Sequence, residues 1–253
     1  MLYGPGGVLK QAHAVCVKSL KSMDKKWGVS LKKITNKDIE LIETINMVFN
    51  FKISEEKISD ELGRNYLKNK EDAQAAFAFG FYNFLITSKV KNSAVGSERI
   101  EIIFNAYNDA LLIEPEYWIV QMFKAVLLLS LPEVMRNDDA LVETLNKMIE
   151  SQDKEEEKET YFVLPYIIYA DYEFTCNNRD EVLKQIELAE TKVKKGTIHF
   201  KNINPYFCMP FKDFLKRLAR SNENEIAGRV LELGKTFFPT EEMFQKGVDK
   251  ILL

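Results

Sequence analysis

Histidine is nearly missing from this chain: the only two, His13 and His199, stand 186 positions apart. That separation excludes HExxH zinc sites, two-histidine iron triads and catalysis by a histidine dyad as classes. Cysteine is scarce too. Cys16, Cys176 and Cys208 are odd in number and show no CxxC spacing, which suits reduced thiols used as small core hydrophobes and not a secreted disulfide framework. With 11 Gly and 7 Pro in 253 residues, collagen and low-complexity disorder are excluded. Gly4-Pro5-Gly6-Gly7 is followed by no Lys-Ser/Thr, so it is no phosphate cradle, and no DDxxD run marks metal-dependent isoprenoid chemistry. Long apolar runs are absent as well. Residues 118–131 include Gln121 and Lys124 and stop at Pro132, short of the ~20 residues that a membrane-spanning helix needs. Residues 1–7 carry no positive region of a signal peptide, so the expected location is cytoplasmic, with no cofactor or metal and no catalytic residue.

What the chain does have is apolar and charged in helical register. Hydrophobic residues make up 46% and aromatics 11% of a length that suits one large or two small domains. The net charge of −3 is unevenly spread: residues 1–37 hold eight Lys against the single Asp24, leaving −10 for the remainder. Val8, Leu9, Ala12, Val15, Cys16, Leu20, Met23 and Trp27 recur at three- and four-residue steps beside Lys10, Lys18, Lys21 and Lys25, the pattern of a basic amphipathic helix. The solvated face of a first helix, a membrane surface, an acidic partner helix and nucleic acid are the readings of that stripe. Nucleic acid is disfavoured because no Arg-and-aromatic interleaving accompanies the lysines.

No run alternates as a strand would, and the predicted class is all-α. Asn36 is a cap for a helix carrying Ile39, Leu41, Ile42, Ile45, Val48 and Phe49, and Ser54 is a cap for the next. From Glu71 a texture of small and large side chains begins, with Ala73, Ala75, Ala76, Ala78 and Gly80 among Phe77, Phe79, Phe81 and Phe84. Further helices are predicted over 98–113, 117–131, 140–149, 161–174, 182–193, 207–220, 223–237 and 240–252, with Asn137 or Asp138 as a cap and 153–159 as a solvated charge run. Two domains are expected, a basic helical segment over 1–70 and a helical array over 71–253.

Successive hairpins share landmarks. Residues 105–117 place Tyr107, then Ala110 three residues on, then Pro115 five further; Val182, Ile186 and Ala189 and then Ala227, Leu231, Gly234 and Pro239 echo that spacing, with Gly80 and Ala170 as small residues of first helices. In these features residues 71–239 resemble the tetratricopeptide repeat family. The landmarks at 110, 147, 189 and 234 step by 37, 42 and 45 residues, against ~34 in that family and ~40–47 in HEAT and armadillo arrays, and Lys147 stands where a small residue is expected. A generic α-solenoid is the alternative.

The resemblance implies a right-handed superhelix of antiparallel hairpins, whose first helices line a concave peptide-binding groove. Carried over residue by residue, it points to Gln74, Phe77, Phe81 and Phe84, then Met122, then Asp171 and Phe174, and finally Lys212, Lys216 and Arg220. The last three, spaced by four, share a helical face suited to carboxylates of an acidic or C-terminal peptide, while the phenylalanines are suited to apolar side chains or to a core. Asp171 lies inside an aromatic helix and is a candidate to receive a ligand's amine or a neighbouring lysine. The expected function is a non-catalytic scaffold, adaptor or chaperone that binds a peptide or helix of another protein. The alternative is a peptide-sensing regulator whose basic N-terminal region acts on a target protein or on DNA. Residues 54–63 resemble the first helix of a helix-turn-helix, but no recognition helix follows them.

Overall fold

A computed structural model describes residues 31–50, 55–87, 93–200 and 203–247. The basic amphipathic helix expected over 8–27, the Ser54 cap and Cys16 lie outside the described residues. Leu31–Leu253 clusters as one compact unit.

The described residues form α-helices, two short 3-10 turns and no strand. The helices are α1 (Asn36–Asn50), α2 (Glu55–Lys68), α3 (Ala73–Thr87), α4 (Ser93–Ile113), α5 (Trp118–Ser130), α6 (Asp138–Asp153), α7 (Leu164–Thr175), α8 (Arg179–Thr191), α9 (Asn204–Arg220), α10 (Asn224–Phe237) and α11 (Glu242–Gln245). Helix ends follow local chemistry. Thr35, not Asn36, caps α1: its hydroxyl accepts from the Asp38 N–H while the Asp38 carboxylate takes the Thr35 N–H at 2.8 Å, a reciprocal capping box with Asp in the place of Glu. Asn137 caps α6 by accepting from the Ala140 N–H at 3.0 Å. Several ends differ from expectation by three residues or more, two of them most. Helix α4 begins at Ser93, inside what reads as a polar break, and the last helix stops at Gln245, where Lys246 turns to extended backbone.

Helices pack most closely on their neighbours in sequence in the pairs α2–α3, α3–α4, α5–α6, α7–α8 and α9–α10, and less closely at α4–α5, α6–α7 and α10–α11. Alternate helices touch as well: α1 with α3, α3 with α5, α5 with α7, α7 with α9, and α8 with α10. Close approach within a pair depends on small residues. A Cβ on Gly80 would stand 2.7 Å from the buried Tyr107 ring across the α3–α4 interface, and one on Gly234 would stand 2.6 Å from Phe244. Ala110, Ala170, Ala189 and Ala227 are buried like them, whereas Lys147 is exposed and paired with Glu143 at 2.8 Å.

The division expected at residue 70 falls within the compact unit. Buried Ile42 and Ile45 of α1 join the common core, and Gln74 of α3 donates to Asp38 of α1 at 3.0 Å. The segment before α1 is tied down too: Lys32 bridges Tyr117 through backbone hydrogen bonds with Glu116 and Trp118, its ammonium pairs with Glu114, and the Ile34 N–H donates to the Tyr161 hydroxyl at 3.2 Å. The charge run at 153–159 ends α6 at Asp153 and continues as a surface loop, with Lys33 reaching Glu155 at 3.3 Å.

Candidate functional site

Helices α3, α5, α7 and α9, with Ile100 of α4, enclose a partly open cavity of about 550 Å³. Its position follows from the stacking: each of these helices is the first of a tightly packed pair, and each touches the next. The walls are apolar. Phe84 and Leu85 come from α3, Val126, Leu127 and Leu129 from α5, Leu131 and Pro132 from the connector, Ile168 from α7, and Tyr206, Met209 and Pro210 from α9. Pro210 sits inside α9 and offers no N–H to the Tyr206 carbonyl four residues earlier, so that carbonyl loses its helical donor. A volume within the ~300–1,000 Å³ of ligand pockets, an apolar lining and a few polar groups together describe a binding site. A wider depression of about 910 Å³ between α1 and α2 is walled largely by polar and charged side chains, Lys57, Glu61, Arg64, Asn65 and Lys68 among them.

The charged groups of the cavity lie on α7 and α9. Asp171, 1% exposed, receives two hydrogen bonds from Arg217, one from Nε to Oδ1 at 2.6 Å and one from Nη2 to Oδ2. Burial pushes the Asp171 carboxyl up to about 6, with the hydrogen bonds and charge of Arg217 pulling the other way. The guanidinium, 37% exposed, is in turn held above its ordinary value by Asp171. Asp213, one turn before Arg217, also lines the cavity, and its ion-pair partner is Lys216 at 3.7 Å. Thr87 and Ser130 spend their hydroxyl hydrogens on the carbonyls of Asn83 and Leu127 in their own helices, and the Tyr206 hydroxyl donates to Asn46 at 2.5 Å.

Of the residues expected to line a groove, two do so. Phe84, half-buried against Phe81 and Phe123, and Asp171 are cavity residues. Phe77, Phe81 and Met122 do not face an open groove: all three are fully buried, and Phe77 packs against Phe81, Tyr107, Tyr117 and Phe123 in a continuous aromatic core. Gln74 is spent on Asp38, and Phe174 packs on Phe214 with ring centroids 6.0 Å apart. The basic stripe is divided. Lys212 pairs with Glu241 at 2.7 Å, Lys216 is exposed beside Asp213, and Arg220 is exposed at the end of α9. Asp171 is paired not with a neighbouring lysine, as expected, but with Arg217.

Arg217, Tyr206 and Met209 went unread in the sequence, although a signal for them exists. Tyr206, Met209 or Pro210, Asp213 and Arg217 recur at three- and four-residue steps, which puts them on one face of α9. The lysine spacing of four drew attention to the neighbouring face instead. No protein-family model matches the chain, and no curated protein matches it.

Proposed function

We propose that this chain is a non-catalytic interaction scaffold, a tetratricopeptide-like array of helical hairpins whose cavity receives the apolar face of a helix from another protein. The observation that carries this reading is the apolar cavity built by the first helices of four successive pairs. Packing of alternate helices and the small landmarks at Gly80, Ala110, Ala170, Ala189, Ala227 and Gly234 support an array of hairpins. A helical occupant suits the walls, because a helix satisfies its own backbone and presents only side chains, while the hydroxyl hydrogens lining the cavity are already committed. The lining also argues against a ligand with several acidic groups, since Arg217 is its one cation among the described residues and Asp171 and Asp213 stand beside it. An adaptor or chaperone in the cytoplasm is the setting this work suits.

The test uses Met209→Glu, which places a charge on a half-buried cavity wall, and Lys216→Glu/Arg220→Glu, which inverts the exposed stripe. With equal helicity and unfolding midpoints established first, the cavity variant is expected to lose a partner that the wild type retains from a lysate of the source cells. The stripe variant is expected to keep it. The reverse pattern returns the site to the stripe.

A further inference from the structure

We propose that the cavity is also a small-molecule site, and that its ligand is a straight-chain monocarboxylate of the fatty-acid class whose carboxylate is received by Arg217. The inference rests on reading the cavity as a binding site and adds the chemistry of an occupant. Asp171 engages the Nε–Nη2 side of the guanidinium, and among the described residues Nη1 has no acceptor. The remaining edge, Nη1 with the second hydrogen of Nη2, is a fork that matches a carboxylate in bidentate geometry. Arg217 bridges from a fully buried carboxylate on α7 to the cavity, so its plane is fixed before a ligand arrives. Pre-organisation of this kind lowers the entropy lost on binding.

The rest of the lining decides between sources of such a carboxylate. An extended peptide brings an N–H and a C=O with every residue, and each needs a partner once it leaves water. The walls supply Leu127, Leu129, Ile168, Met209 and Phe84, and the hydroxyls of Thr87 and Ser130 donate to their own helices. A saturated chain asks for apolar wall and one cationic anchor, which is what the cavity has. Asp213 opposes the anion: it lines the same space, and its ion-pair partner Lys216 stands 3.7 Å away. An acid in the cavity would exclude the partner helix, making it an antagonist of the interaction above.

Isothermal titration of the full chain at neutral pH with decanoate, 1-decanol and an apolar tetrapeptide acid tests the proposal. Decanoate is expected to bind roughly tenfold more tightly than decanol, the worth of a charge-assisted bidentate contact. In Asp171→Asn/Arg217→Gln, which removes both charges together and leaves no buried ion unpaired, the two should bind alike. Asp213→Asn, on a half-exposed position of the wall, should tighten decanoate several-fold and leave decanol unchanged. Equal binding of acid and alcohol by the wild type, or a preference that survives in the double variant, overturns the carboxylate and leaves the cavity as an apolar site. Tighter binding of the tetrapeptide acid assigns Arg217 to a peptide terminus and overturns the fatty-acid class. If neither acid nor alcohol binds, the small-molecule site is wrong, and the partner-helix reading is judged by Met209→Glu alone.

Discussion

Asp38 and Asp171 are both buried carboxylates, and the protein treats them in opposite ways. Asp38 accepts from the Tyr117 hydroxyl, from Gln74 at 3.0 Å, and from the backbone and hydroxyl of Thr35 at 2.8 and 2.7 Å. Burial acts to raise its carboxyl, but these donors outweigh it and hold the group below the usual range. For Asp171 burial wins over Arg217, and the carboxyl rises to about 6. The consequences for stability have opposite signs. The folded state binds the Asp171 proton more tightly than the unfolded chain does, so between about pH 4 and pH 6 its contribution to stability falls as pH rises, by up to about 1.4 kcal/mol per pH unit. Asp38 contributes stability above about pH 4 that is lost as pH falls below its ordinary range. Urea unfolding of wild type and Asp171→Asn from pH 4 to 7 isolates the first effect: the wild type should lose stability relative to the variant as pH climbs to 6 and hold level beyond it. A flat difference would show that Asp171 titrates as an exposed carboxylate does.

Two glycines on helices give a paired prediction for elements. Gly80 is pressed against Tyr107 at the α3–α4 interface, while Gly228 on α10 has nothing within 4 Å of an added Cβ. Alanine raises helix propensity by up to ~1 kcal/mol at either place. At Gly228 that gain should appear as about 0.5–1 kcal/mol of added stability. At Gly80 the clash with a fully buried ring should override it, for a net loss of about 1–3 kcal/mol. Chemical denaturation of Gly80→Ala and Gly228→Ala against wild type decides both, and a stabilised Gly80→Ala would mean that α3 and α4 sit further apart.

A third prediction concerns the α6 cap, where Asn137→Ala should cost about 1 kcal/mol in the same assay, because the Ala140 N–H loses its acceptor. Much of the element plan was legible in this kind of residue: Asn137 as a cap, Pro132 as a stop, and Gly80 and Gly234 as places of close approach. What escaped was polar sequence. The first turn of α4 offers only Ala94 and Val95 as apolar residues to reveal it, and α11 ends at Gln245 ahead of Lys246 and Gly247. The site was half legible for a related reason. Asp171 draws notice as a charge among aromatics, but Arg217 is one of several cations on α9, and only packing against α7 distinguishes it.

At the scale of the whole molecule, charge and shape point to different ends of the chain. The lysines of residues 1–37 are the feature that would hold a nucleic acid or another polyanion, whereas residues 38–253 carry −10 and contain the cavity. Salt tells these apart. Neutralising several phosphates releases counterions, so binding through the basic end should weaken by orders of magnitude between about 50 and 200 mM salt. Binding in an apolar cavity whose cation is matched by Asp171 and Asp213 gives salt little to screen. For the partner lost in Met209→Glu, the dissociation constant of wild type should therefore change by less than about threefold over that range. A steep loss of affinity with salt would place the interaction on the lysine-rich end, and Met209→Glu would then act on it only through the fold.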